Sequence, residues 1–396
     1  YEAGFLMNIK TVLMPLILAT FLSVMMPISI HAANSVVVFN AANFPAADTA
    51  RPAAAQLEAL FAGSRFATPA DLKTALGDPE TRLLVLPYGS AFPEDSWEDI
   101  YEYLRRGGNL LVVGGRPFTR AAYRTKTGWR LRDYSPRFTR LLMIDQYQET
   151  PGSDDMEFLS NPDYPLEVPR FGWKRAFSPV IRLSAVDLYK RGGSAGALDA
   201  RLDTLAWGVH KKDGRKLSAP AIQVDHIRNG FDGGRWIFLN ADLSKDFFVS
   251  GGMIVNALIE RALQGAEEFT VRPSYPLYLP DENVQLKVEW NCRRPPAAAL
   301  TAKIAIFPDS NPSKVFETTV AVPAEKAVEL PPQSSKSQYV IEAKLMEGGK
   351  VRAIYRSGFW MRDDAWLRSG VSVSVNKDYF ELDFRPMAVM GTTYMS

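Results

Sequence analysis

The chain is poor in the residues that carry most enzyme chemistry: it has one cysteine, Cys292, and three histidines in 396 residues. A single cysteine excludes an intrachain disulfide. Scattered histidines and a lone cysteine offer no zinc-type ligand spacing. Cys292 follows a half-buried strand pattern and stands beside two arginines, so its ordinary reading is a partly buried small residue near a strand end. An excess of one charge sign is also missing, since 46 basic residues against 44 acidic give a net charge of +2. That balance points to neither nucleic acid nor an anionic membrane as partner. Neither Asp154-Asp155 nor Glu94-Asp95 has a geometric claim to be a catalytic carboxylate pair, and both read as solvated charge. No metal site or cofactor is expected.

What is present is a globular composition, 46% hydrophobic and 23% charged, over a length that accommodates two or three domains. Near the start, Lys10 precedes an apolar run from Val12 to Met26, Pro27 breaks it, and Ala32 and Ala33 supply the small residues of a cleavage site. Residues 1–33 therefore read as a signal peptide whose true start is Met7. The run is shorter than the ~20 residues needed to span a bilayer, and Pro15 and Pro27 weaken it. An exported, periplasmic or extracellular protein with no stable membrane insertion after cleavage is expected.

From residue 34 to about 266 the pattern is α/β. "SVVVFN" is a short apolar strand, and "RPAAAQLEALFAG" has helical spacing ending at Gly63. "TRLLVLPYGS" is a continuous apolar strand of the kind buried on both faces. "EDSWEDIYEYLRRGG" places Trp97, Ile100, Tyr101 and Leu104 on one helix face, with Asp95 or Ser96 as cap and Gly107-Gly108 as stop. "NLLVVGG" completes a strand–helix–strand unit and so predicts a parallel sheet. Strands are also expected at "DTLAWGVHKK" and across "APAIQVDHIRNGFDGGRWIFLNADL", the latter a hairpin through Gly230 to Gly234. "SKDFFVSGGMIVNALIERALQG" reads as one closing helix.

The run "LLVLPYGSAFPEDSWEDIYEYLRRGGNLLVVGGRPF" resembles the class I glutamine-amidotransferase-like, flavodoxin-like domains found as accessory modules of secreted glycoside hydrolases, including the β-galactosidase trimerisation type. The resemblance implies a flavodoxin-like fold and a homo-oligomer formed through this domain. It does not carry the amidotransferase activity. Gly114, Gly115 and Arg116 stand where the family's cysteine nucleophile would sit, and the sole cysteine is far downstream. Ligands of open α/β sheets sit beyond the carboxyl ends of the strands, which nominates Tyr88, Gly89, Gly114, Gly115 and Arg116 as ligand-binding residues. A serine hydrolase built on Ser90 with His210 or His226 as base is an alternative on paper.

An irregular insert is expected from about 119 to 200. It holds "GWRLRDYSPRFTRLL" and "NPDYPLEVPRFGWKRAFSP", whose Trp129, Tyr134, Trp173 and Arg175 suit an interface or a carbohydrate groove. From about 267 to 366 the period becomes two. Val284, Leu286, Val288 and Trp290 alternate with polar residues, and "SQYVIEAKLMEGGKVRAIYRSGFW" is a hairpin turning at Gly348-Gly349. These strands predict an immunoglobulin-like β-sandwich.

Residues 367–396 resemble the entry into a (β/α)8 glycoside hydrolase barrel, a hairpin followed by the first barrel strand, with Gly391 to Tyr394 at that strand's end. Phe384 departs from the pattern by replacing a glycine in the turn. The resemblance implies that catalytic carboxylates belong to later strands. The combined expectation is a multidomain, non-catalytic N-terminal portion of an exported glycoside hydrolase, with no catalytic residue of its own and a glycan substrate reached through the barrel. A self-contained carbohydrate-binding or assembly module is the alternative from another class.

Overall fold

The computed structural model describes residues 35–166, 171–184, 198–293, 298–309, 313, 315–329, 338–369, 373–377, 379–382 and 385–387. The expected signal peptide, Phe384 and the apolar run after Met387 lie outside these residues.

The first hydrophobic core is organised by an eight-stranded sheet: β1 (Val36–Phe39), β2 (Arg65–Ala67), β3 (Leu83–Leu86), β4 (Asn109–Val113), β5 (Met156–Ser160), β6 (Ala200–His210), β7 (Lys216–His226) and β8 (Arg235–Leu239). The order is β2-β1-β3-β4-β8-β7-β6-β5. The first five run parallel, and the last three are added antiparallel. Every residue of β1, β3, β4 and β8 is buried, as expected of parallel strands covered on both faces.

Helices α1 (Ala54–Leu60), α2 (Pro69–Gly77), α3 (Trp97–Arg105) and α4 (Gly252–Gln264) provide that cover. In α3 the buried face is Trp97, Ile100, Tyr103 and Leu104. Tyr101, expected on that face, is only half-buried and stacks on Trp97 at 5.4 Å. Neither expected cap operates, because a 3-10 turn, Glu94–Ser96, runs straight into the helix. The single closing helix is two, Phe247–Ser250 and α4, divided at Gly251. A Cβ at Gly251 would crowd the Phe247 ring and carbonyl, so the chain turns there on a residue without one.

The region read as an irregular insert is largely strand. Arg120–Thr125 and Gly128–Leu131 form a hairpin, and Ile144–Pro151 pairs with Trp173–Ile181. Arginine and proline interrupt the alternation there, so period two is hard to see in the sequence. Trp173–Ile181 also pairs with Ala241–Leu243, which carries the insert onto the chain just beyond β8.

A second core lies between two smaller sheets. One comprises β9 (Glu267–Pro273), β10 (Val284–Cys292) and β13 (Ala324–Val328); the other comprises Leu277–Tyr278, β15 (Lys350–Met361), β14 (Gln338–Glu347), β11 (Leu300–Pro308) and β12 (Phe316–Ala321). Alternate residues Val284, Leu286 and Val288 meet Ile304, Tyr339, Ile341 and Leu345 inside. The β14–β15 hairpin turns at Gly348-Gly349, both with positive φ. Beyond it, Val373–Asn376, Tyr379–Leu382 and Arg385–Met387 make a three-stranded antiparallel sheet.

Candidate functional site

The chain reverses direction in the sheet between β1 and β3, and at such a switch point the loops part to leave a crevice beyond the carboxyl ends of the strands. Four loops meet there. The loop after β1 brings Asp48 and Thr49, that after β3 brings Tyr88 to Ser90, that after β4 brings Gly114 to Arg116, and the segment after β8 brings Asp242.

The crevice is filled by the chain's own side chains. Arg116 donates from Nε and Nη2 to both oxygens of Asp48, at 2.9 to 3.0 Å, and from Nη1 to Glu149 at 3.0 Å. Its guanidinium lies between the rings of Tyr134 and Phe177, at 5.2 and 5.1 Å. Arg175 donates to the other oxygen of Glu149 and lies 3.7 Å from Asp48 and 3.6 Å from Asp242. Glu149 and Arg175 come from the paired strands of the insert, so the ion pairs fasten the insert over the strand ends.

The nominated glycines serve close approach. A Cβ at Gly89 would collide with the Ala47 carbonyl and Thr49, one at Gly114 with Thr49, and one at Gly115 with Ser90. All three have positive φ, which only glycine adopts without strain. Tyr88 is buried, and its hydroxyl donates to Asn40 at 2.8 Å. The nominated residues are thus gathered at one place, where Arg116 is the one with a charged group and that group is paired.

Ser90 is fully buried; its hydroxyl donates to Asp48 at 2.6 Å and accepts from the Arg116 amide at 2.7 Å. Neither histidine reaches it. His210 pairs with Asp213 on β6, four strand positions from β3, or ~19 Å at ~4.8 Å per strand. His226 hydrogen-bonds through its amide to Gly234, at the amino-terminal end of β8 and so at the opposite end of the sheet. The serine-hydrolase alternative therefore has no histidine base among the described residues and no exposed nucleophile. Of the aromatic residues nominated in the insert, Trp173 is buried in the first core, Trp129 packs edge-on against Phe44 at 4.9 Å, and Tyr134 covers Arg116.

A second charged cluster, invisible in the sequence, joins the two cores. Arg235 holds Asp225 through two 2.7 Å hydrogen bonds and reaches Glu267, which also meets Arg352 at 3.1 Å and accepts from the Trp290 indole at 3.0 Å. Burial pushes the Glu267 carboxyl upward, but Arg235 and Arg352 outweigh it and hold it below its ordinary value. Burial raises Asp225 more than Arg235 lowers it. Burial lowers His226 to about 3, keeping it neutral beside Trp236. Arg293 adds a peg, donating to the Arg106 and Asp232 carbonyls at 2.8 Å in space left by Gly107 and Gly233. Clefts of about 560 and 1060 Å³ flank this joint. Glu267 lines the smaller, and the pair Arg228–Glu268 lies in the wall of the larger.

Among the described residues no group of three His, Cys, Asp or Glu could hold a metal ion, and no helix is long and apolar enough to cross a membrane.

No protein-family model matches the chain, and no curated protein matches it. Solved structures do resemble it in part. The β-galactosidase from Bacillus circulans sp. alkalophilus is 11% identical with a TM-score of 0.31, over 76% of this chain and 42% of that one. The β-galactosidase from Rahnella sp. R3 is 12% identical with a TM-score of 0.33, over 74% and 40%. That from the haloarchaeon Halorubrum lacusprofundi is 14% identical with a TM-score of 0.32, over 76% and 40%. The chain spans about two fifths of the length of these proteins.

Proposed function

We propose that the chain is the non-catalytic N-terminal portion of an exported glycoside hydrolase: a degenerate, flavodoxin-like amidotransferase-type domain followed by an immunoglobulin-like sandwich, supporting a catalytic barrel. The observation that carries this reading is the filled crevice. At the strand ends, where the resembled enzymes keep a nucleophile, this chain has Gly114, Gly115 and an Arg116 locked to Asp48. Catalysis, on this reading, belongs to the barrel, and the glycan reaches the protein there. The α/β domain then serves support, oligomerisation or the shaping of the substrate groove.

The C-terminal sheet fits this role. Register places Val373 opposite Leu382, and Val375, Phe380 and Met387 in one row, while Ser374 and Glu381 take the other face. Val373, Val375, Phe380 and Leu382 are exposed, as a face awaiting a further layer of protein would be. The test is a panel of chromogenic glycosides with the purified 396-residue chain. No turnover is expected; reproducible turnover of any member that co-purifies with the chain would overturn the reading.

A further inference from the structure

The larger cleft at the joint is open where the strand-end crevice is filled. Its volume of about 1060 Å³ matches the largest sites that hold small molecules, and it lies between two cores, where such sites are often found. One wall comes from the first core and is apolar. Leu183, Leu198 and Leu202 line it, and the last two are 50% and 38% exposed. The other wall is the outer face of the β9–β10 ladder. Val271, Leu286 and Val288 turn to the sandwich core, so the alternate residues turn away from it. Register sets Glu268 opposite Asn291 and Thr270 opposite Glu289, and Arg272 follows Thr270 on the same face. All five line the cleft.

The charges of these walls are largely matched from within. Arg228 donates to both oxygens of Glu268, at 2.6 and 2.8 Å, Arg201 pairs with Asp203 at 2.9 Å, and Glu289 pairs with Lys287 at 2.7 Å. Arg272 donates from Nε to the Tyr355 hydroxyl at 3.0 Å. What remains is hydrogen-bonding capacity. Thr270 is 7% exposed, yet its hydroxyl has no hydrogen-bond partner among the described residues, and neither has the Asn291 amide group. A hydroxyl withdrawn this far from bulk water is stabilised by an occupant of the cleft that bonds it. We infer that this cleft binds a neutral oligosaccharide, with Leu183, Leu198 and Leu202 against its rings and Thr270, Arg272, Glu289 and Asn291 on its hydroxyls.

The pairing of one apolar wall with one polar wall selects that ligand class. A sugar ring has C–H faces that suit the leucines and a rim of hydroxyls that both donate and accept, as the polar wall does. A polyanion would meet Glu268 and Glu289, whose charges act on Arg272. A hydrocarbon chain would strip water from the polar wall and return no hydrogen bond. An extended peptide adds to a sheet at an edge, whereas this wall is a face whose strands spend their backbone groups on each other. The site is built from residues of both cores and stands whether or not a catalytic barrel follows, so binding here and turnover in a barrel are separate readouts.

The test is saturation-transfer NMR and calorimetry on the full chain with four neutral trisaccharides: cellotriose, xylotriose, maltotriose and β-1,4-galactotriose. At least one should bind. The double variant Thr270→Val, Asn291→Ala should weaken that binding by roughly tenfold or more. Arg356→Ala, which breaks a pair with Asp163 outside the cleft, should leave it unchanged. Circular dichroism and Tm establish that each variant is folded. In the unsubstituted chain the bound trisaccharide should slow amide exchange in β9 and β10, a reading that needs no variant. The inference fails if none of the four binds, if the double variant and Arg356→Ala change affinity equally, or if the slowed exchange lies outside β9 and β10. It also fails if trigalacturonate or a capped, uncharged Ser/Leu hexapeptide binds more tightly than every neutral trisaccharide.

Discussion

Two charged clusters of similar composition lie in very different surroundings. At the joint between the cores, the side chains of Arg235, Asp225 and Glu267 are 1 to 3% exposed. At the strand ends, Arg116 and Asp48 are 18% and 12% exposed, and Glu149 and Arg175 above 40%. Buried charges must be compensated in full, so removing one partner there leaves the others stranded in a medium that solvates them poorly. Partly wet charges exchange lost partners for water. The joint should therefore behave as a structural keystone and the strand-end cluster as a fastening.

Substitutions can break this contrast. Glu267→Ala should cost most, about 3–5 kcal/mol, because Arg235 and Arg352 lose their shared carboxylate. Denaturant unfolding checks this, and a loss below about 1 kcal/mol would place the joint with ordinary surface pairs.

The joint should also be acid-sensitive through His226. Its folded pKa, about 3, lies below the ordinary value of 6.5, so its contribution to stability is complete above about 6.5 and is lost as pH falls toward 3. Between pH 6 and 4.5, His226→Gln should reduce the dependence of unfolding free energy on pH by about 1.4 kcal/mol per pH unit. An unchanged slope would mean that the imidazole is solvated in the folded state.

At the strand ends Gly115→Ala should cost about 1–3 kcal/mol, since the residue has φ of +66° and a Cβ would press on Ser90. An unchanged Tm would show that the loop after β4 is looser than described. Smallest of all, Arg356→Ala breaks a pair with Asp163 in which Arg356 is half exposed, and should change stability by about 0–1 kcal/mol.

Much of the layering was legible in the sequence because burial writes itself into periodicity. Uninterrupted apolar runs at 83–86 and 109–113 marked strands covered on both faces, and alternation through Val284, Leu286 and Val288 marked a half-buried one. The short strand β2 and the insert's strands escaped notice, the first for want of length and the others because arginine and proline break their alternation. Strand-end residues could be nominated from topology. Their closure could not, since Asp48 and Arg116 are 68 residues apart and nothing local couples them. The joint was hidden for the same reason: Arg235 and Glu267 are 32 residues apart, and a buried salt bridge looks like surface charge until folding brings the partners together. Net charge is silent on local patterning, because a total of +2 averages away the basic stretch from Arg120 to Arg140.

The strand-end crevice is closed by Arg116 and Asp48, with Ser90 buried beneath them. Its most direct test is exposure of the folded chain to a fluorophosphonate probe, read by intact mass and peptide mapping. An unmodified chain is expected. A stoichiometric adduct on Ser90 would contradict it.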